Sequence, residues 1–182
     1  MAEWVTASTP YLSPRAAGQG DPWALEAAEA GHVGRHKVLS AGTAYPPEHV
    51  AALLRAEPGA SAVRRRRIVT LDDRPVEIAD SWYPIAFAQT ALAEPKPIKG
   101  GALRLLADLG FTAARHIEDV AVISLTGELA DLLYSPVGEA AMELTRTSFA
   151  QDGTPFEVAV MVMSREMEPG LPRRLRYELR SE

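Results

Sequence analysis

Glu157 lies in the run Phe156-Glu157-Val158-Ala159-Val160-Met161-Val162-Met163, and the two-residue period of a strand sorts that run onto two faces. Phe156, Val158, Val160 and Val162 form an apolar face suited to a core. Glu157, Ala159, Met161 and Met163 form the other, where a carboxylate among small and soft side chains is costly to bury without a partner. Such a group can accept hydrogen bonds from a hydroxyl or amine of a bound small molecule, or it can pair with an arginine such as Arg67 or Arg146. An earlier strand places Glu77, Ala79, Ser81 and Tyr83 on one face and Val76, Ile78 and Trp82 on the other. Glu77 reads there as a second acceptor or as a surface strand residue.

The two strands are copies of one pattern. Arg66, Asp72, Pro75, Glu77 and Ala79 recur 80 positions later as Arg146, Asp152, Pro155, Glu157 and Ala159. In each copy a strand runs into an Asp-Asp or Asp-Gly turn, and a second strand leaves through proline. Proline is tolerated at that point because the first position of a strand needs no ladder donor. The spacing therefore predicts two hairpins, over about residues 62–83 and 141–163.

Elements around the hairpins must hold them. Asp21-Pro22 before an Ala- and Glu-rich run closed by Gly31 predicts a short helix. Helices are also expected after Pro46-Pro47, after Gly100-Gly101 up to Gly110, and over residues 126–133 behind a Thr126 cap. Strands are expected at 37–40, 116–124 and 174–180. Residues 1–20, rich in Ser, Pro, Gly and Ala, carry no periodicity and read as a linker. Hairpins with helices between them predict an α+β fold in which helices pack on a mostly antiparallel sheet with internal duplication.

A chain of 182 residues with 47% hydrophobic and 24% charged residues fits one globular core. No apolar run approaches the roughly 18 residues of a membrane helix, and no signal peptide opens the chain, so the expected location is the cytoplasm and no membrane partner is expected. The absence of cysteine excludes disulfides and thiolate metal sites. A net charge of −5 argues against nucleic-acid binding through the overall field. The four histidines, His32, His36, His49 and His116, show no metal-ligand spacing, and no metal or cofactor is expected. The run Arg64-Arg65-Arg66-Arg67 sends two arginines to each face of a strand, which reads as a solvated or ligand-facing edge. The closing arginines Arg173, Arg174, Arg176 and Arg180 read as a solvated face.

The order of these motifs carries a resemblance. The arginine-rich strand, Asp72-Asp73-Arg74-Pro75-Val76, Ser81-Trp82-Tyr83-Pro84, the Gly100-Gly101 helix start, Leu109-Gly110, Glu118, Leu144-Thr145-Arg146, Asp152-Gly153-Thr154-Pro155 and Leu175-Arg176-Tyr177 together resemble the UTRA effector-binding domain of HutC-type GntR transcription regulators. The match runs from about Val38 to Leu179. It implies a chorismate lyase-like fold, a small-molecule effector and a homodimer. Such regulators bind DNA through an N-terminal winged helix-turn-helix, for which residues 1–36 are too few and too rich in Gly and Pro. The expected organisation is a linker and short helix over 1–36 and an effector-binding and dimerisation domain over 37–182, with DNA reached only through a domain outside the chain.

The resemblance also implies site residues. Arg67 falls where the family's first hairpin presents an arginine to an anionic effector, and its planar fork suits phosphate or carboxylate. Gly100 and Gly101 fall where relatives hold anions, and they would offer backbone N–H groups at a helix start. With the strand faces, the candidate effector-binding residues are Arg67, Glu77, Ala79, Ser81, Gly100, Gly101, Glu157, Met161 and Met163. The sugar-phosphate sensors of the family carry hydroxyls before the helix that here begins at Tyr45-Pro46-Pro47, a glutamate in place of Ala79 and an aromatic hydroxyl in place of Met163. Those departures predict an anionic effector with an apolar portion. No catalytic residue is expected, although a chorismate lyase-like enzyme acting on a small carboxylic acid, with Arg67, Arg115 and Arg146 as anion holders, and a pure dimerisation module are the alternatives.

Overall fold

The computed structural model describes residues 4–14 and 19–178. Its first hairpin joins β3 (Ala62–Leu71) to β4 (Arg74–Pro84) through Asp72 and Asp73, both left-handed with φ of 47° and 67°. Two successive positive φ angles make the tight turn whose twist matches that of paired strands, and Asp tolerates them better than most residues. The second hairpin joins β6 (Ala140–Phe149) to β7 (Pro155–Ser164) by a longer loop. There Gly153, at φ 79°, donates to the Ala150 carbonyl, and Asp152 Oδ1 accepts from the Thr154 N–H at 2.9 Å.

Each hairpin is preceded by a strand and a helix. β2 (Gly34–Ala44) and α2 (Glu48–Leu54) lead into β3, while β5 (Arg115–Ser124) and α4 (Gly127–Leu132) lead into β6. The repeat is therefore strand, helix, strand, strand, and the six strands form one antiparallel sheet in the order β2-β3-β4-β7-β6-β5. The halves meet where β4 pairs with β7. Asp80 and Val160, 80 residues apart, face each other there.

One face of the sheet is covered by α2 and α4. Val50 and Leu54 pack on Trp82 and Val158, and Ala130 and Leu133 pack on Ile78 and Val162. Between the helices Asp80 accepts from both Arg64 and Arg66 at 2.8 to 3.2 Å, and Arg66 also reaches Glu128 at 2.7 Å. Burial on its own would raise the Asp80 pKa, but the two guanidiniums outweigh it and hold the carboxyl below its ordinary value. The four-arginine run is thus interior, because β2 lies outside β3. The expected edge is not formed.

The opposite face is walled at both ends. At one end α1 (Pro22–Glu29), capped by Asp21, packs Trp23 and Ala27 with Trp4, Leu71, Val76 and Met167. Gly34 permits this approach, since a Cβ there would lie 2.8 Å from the Trp23 carbonyl oxygen and from the Ala27 Cβ. At the other end the segment 85–113, which includes α3 (Ala102–Asp108), packs Phe87, Leu92 and Leu106 on Val63, Tyr83 and Phe156. Val76 and Phe156 were expected beside Ile78 and Val158, yet both pack in these end clusters. The ladders show why: a bulge falls at each of the two positions, with Val69 opposite Glu77 but Thr70 opposite Pro75, and Ser148 opposite Glu157 but Phe149 opposite Pro155.

A second sheet lies outside the repeat. β1 (Trp4–Ala7) pairs in parallel with β9 (Leu171–Arg176), which pairs with β8 (Glu166–Glu168). Residues 4–7 were expected to be linker, having no periodicity. Glu26 holds them through Trp4 Nε1 at 2.7 Å and Thr6 Oγ1 at 3.0 Å, contacts that leave no repeat in sequence. Other elements run close to expectation. The strand expected at 37–40 extends over 34–44, the last strand ends at Arg176, and Thr126 caps α4 without a side-chain hydrogen bond. Positions 179–182, which include Arg180, fall outside the described residues.

Candidate functional site

Residues directly opposite in antiparallel strands share a face. Across β4 and β7, Glu77 faces Met163, Ala79 faces Met161, and Ser81 faces Ala159. β3 adds Arg67 opposite Ala79 and Arg65 opposite Ser81, and β6 adds Leu144 opposite Met161 and Arg146 opposite Ala159. The ladders thus bring Arg67, Glu77, Ala79, Ser81, Glu157, Met161 and Met163 onto the face walled by the two end clusters. The floor is apolar and small at its centre, because Ala79, Ser81, Ala159 and Leu144 are all buried.

Polar groups rim this floor. At the Phe156 end the Tyr83 hydroxyl donates to Glu157 Oε1 at 3.0 Å, and Ser148 Oγ donates to Glu157 Oε2 at 3.4 Å. Burial, with the neighbouring Glu157 charge, pushes the Tyr83 pKa far up, so the phenol remains a donor. Glu157 therefore forms neither of the arginine pairs that were its alternative reading, and hydroxyls hold it instead. Ser148 also lies 3.1 Å from His116 Nδ1, and burial followed by the Arg146 charge lowers the His116 pKa. Arg146 is taken by Glu118, its Nε 2.5 Å from Oε1, and Ser8 donates to the other oxygen of Glu118 at 2.9 Å.

At the opposite end Glu77 meets Arg173 Nη1 at 3.4 Å. Arg173 was expected on a solvated face, but its side chain is only 2% exposed, with Nε 2.9 Å from Met167 Sδ. Sequence reasoning missed it because β9 is short and follows the repeat. Arg65, also missed, donates to the backbone carbonyls of Glu94 and Lys96, which ties the segment leading to α3 down beside Ser81. Burial lowers the Arg65 pKa. Its alternation with Arg67 in the four-arginine run was the available signal.

Gly100 and Gly101 lie at the start of α3 with φ of 79° and 84°, a conformation that favours glycine. The Gly101 N–H already donates to the Ile98 carbonyl at 2.9 Å, so that amide is not free for an anion. Gly100 is exposed, near the Arg104 side chain. The pair belongs to the wall beyond Arg65 and is not part of the strand row.

Arg67 differs from every other arginine on this face. Among the described residues it has no ion-pair or hydrogen-bond partner, and its Nε is buried without one. The ladders explain this. Arg67 lies opposite Ala79, and Arg146 lies opposite Ala159, so these two are structural counterparts. On their outer sides Val38 faces Arg67 where Glu118 faces Arg146. One half of the repeat neutralises its arginine and the other does not.

Residues 29–167 match the model of the UTRA domain family. The chain belongs to that family. An uncharacterized HTH-type transcriptional regulator of Streptomyces coelicolor is 32% identical over 117 residues, covering 62% of this chain and 44% of the relative. The match thus spans less than half the length of that regulator. Among solved structures, PhnF from Mycobacterium smegmatis superposes with a TM-score of 0.73 at 15% identity, over 98% of this chain and 73% of PhnF. The effector domain of PhnF alone gives 0.68 at 17% identity, over 92% of this chain and 99% of that domain. The ligand-binding domain of a GntR-family regulator from Bordetella bronchiseptica gives 0.60 at 23% identity, over 72% of this chain and 84% of that domain. These likenesses establish the α+β fold, with its antiparallel sheet. The described residues of this UTRA domain form no winged helix.

Proposed function

We propose that this UTRA domain binds a small anionic effector with an apolar body on the walled face of its long sheet. The anion is received by Arg67, and the apolar body lies on Ala79, Ala159, Met161 and Met163. One observation carries this reading: Arg67 is a half-buried guanidinium without a partner among the described residues, while its counterpart Arg146 is paired with Glu118. A desolvated guanidinium gains two parallel hydrogen bonds from a carboxylate or phosphate. Ser81 and Glu157 supply polar contacts at the rim. Gly100 and Gly101 stand in the wall beyond Arg65, and the Gly101 amide is already taken by the Ile98 carbonyl. Methionine suits a flat or flexible apolar group because its side chain adapts.

In this reading the domain acts in the cytoplasm as a homodimer of the HutC type and reaches DNA through a winged helix-turn-helix outside it, with 37–182 as the sensing unit, into which β1 and α1 of the expected linker are built. Two features support the location and assembly. No helix among the described residues is long and apolar enough to cross a membrane. The two sheet edges also differ: β2 exposes Arg35, His36 and Lys37, whereas β5 exposes Val120 and Val122 at 50% and 79%. Charge blunts the first edge, and the second is left fit for a copy of itself.

Thermal-shift titration with aromatic and medium-chain carboxylates, set against sugar phosphates, tests the effector class. Stabilisation by the apolar carboxylates supports it. A response confined to sugar phosphates would refute it.

A further inference from the structure

The tip of the first hairpin gathers three groups that the effector face does not use. His32 lies in the turn after α1, Asp72 in the β3–β4 turn, and Glu168 ends β8. His32 Nδ1 is 2.7 Å from Asp72 Oδ2 and 3.6 Å from Glu168 Oε1, and the three potential ligand atoms all lie within 4.8 Å of one another. We infer that His32, Asp72 and Glu168 form a binding site for a divalent transition-metal ion.

Metal–nitrogen and metal–oxygen bonds of about 2 Å place neighbouring ligand atoms about 3 Å apart. The His32–Asp72 and His32–Glu168 separations of 2.7 and 3.6 Å lie on either side of that value. The donor set is one imidazole and two carboxylates, whose two negative charges match a divalent ion, and the imidazole favours zinc, copper or nickel over calcium or magnesium. The side chains are 23%, 47% and 43% exposed, so an ion can enter from solvent and keep water on its remaining positions.

The ligands are held independently of any ion. Asp72 Oδ1 accepts from the Val33 N–H at 2.7 Å, and the Asp72 N–H donates to the Val33 carbonyl at 2.9 Å. That double contact leaves Oδ2 directed at His32, the kind of support that orients metal-binding carboxylates. The His32 ring packs at 5.9 Å from the buried Trp4 ring. The nearby cation is Arg35, and it is engaged by Asp73 at 2.7 Å. Spacing in sequence could not show this group, because its members are 40 and 96 residues apart. A bound ion would clasp the small sheet, which also carries Arg173, to the tip of the long one.

The test uses the full chain without a histidine tag, freed of metal by a chelator. Zinc is titrated calorimetrically, and nickel or copper is followed by quenching of Trp4, which the 5.9 Å ring contact makes the natural reporter. One zinc per chain is expected, with binding weakened about tenfold or more in His32→Gln and in Glu168→Gln and the quenching lost with it. Asp72→Asn keeps a residue that tolerates the left-handed turn and the Val33 contact, so it serves as the variant that folds. Its zinc affinity should also fall. No saturable zinc binding by the parent chain, or unchanged affinity in the three variants, would overturn the site.

Discussion

Arg67 and Arg146 occupy the same place in the two halves of the sheet, opposite Ala79 and Ala159, yet among the described residues only Arg146 has a carboxylate beside it. The two are 79 residues apart, whereas Glu77 and Glu157 are 80 apart, because the second hairpin carries one more residue between the matched positions. A difference of one residue in a loop, and Val38 standing where the other half has Glu118, leave one guanidinium available.

The pair predicts opposite responses to truncation. Arg146→Ala strands a Glu118 carboxylate that is 11% exposed and should cost about 2–3 kcal/mol in urea unfolding. Arg67→Met removes a guanidinium with a buried, unpaired Nε, so stability should hold or rise by up to about 1 kcal/mol. A large loss at Arg67 would mean that it is structural.

Asp80 predicts a pH dependence. Its carboxyl titrates below the ordinary 3.8 in the folded chain, so the stability it contributes is fully present above that value. That stability is lost as pH falls through the lower, folded value. Asp80→Asn should therefore lower stability at neutral pH by about 3 kcal/mol and reduce the loss seen on acidification below about pH 4, read from urea midpoints across pH.

Thr147 predicts a gain. It is 1% exposed, its Oγ1 has no partner among the described residues, and Val158 and Ile117 stand opposite it. Thr147→Val keeps the shape and removes the unpaired hydroxyl, which should raise stability by about 1 kcal/mol. A lowered urea midpoint would show that the hydroxyl is satisfied in solution.

Much of this was legible in the sequence, because a period of two and turn residues are local signals. The two hairpins, the helix after Asp21-Pro22 and the row from Glu77 to Met163 follow from them. Other features are not local. The bulges that carry Val76 and Phe156 into the end clusters depend on strand pairing. Arg173 and Trp4 are buried by a sheet that joins the two ends of the chain, with no repeat to announce it. The state of Arg67 depends on which residue β2 sets opposite it, and that register shifts at a bulge between Val38 and Ser40. The partners of Glu157 needed the fold in the same way, since Tyr83 reaches it across 74 residues.

The β5 edge predicts the assembly. Val122→Glu should shift a dimer to monomer in sedimentation, since it places charge on an edge residue that is 79% exposed. An unchanged mass would place the interface elsewhere.

The central claim is that the walled face receives an apolar anion at Arg67. Crystals soaked with 4-bromobenzoate test it most directly, because bromine is located by its anomalous signal without reference to the rest of the density. The expected result is a carboxylate within hydrogen-bond reach of the Arg67 guanidinium, with the bromine directed over Met161 and Met163. Bromine found only away from this face, with no ligand density beside Arg67, would contradict it.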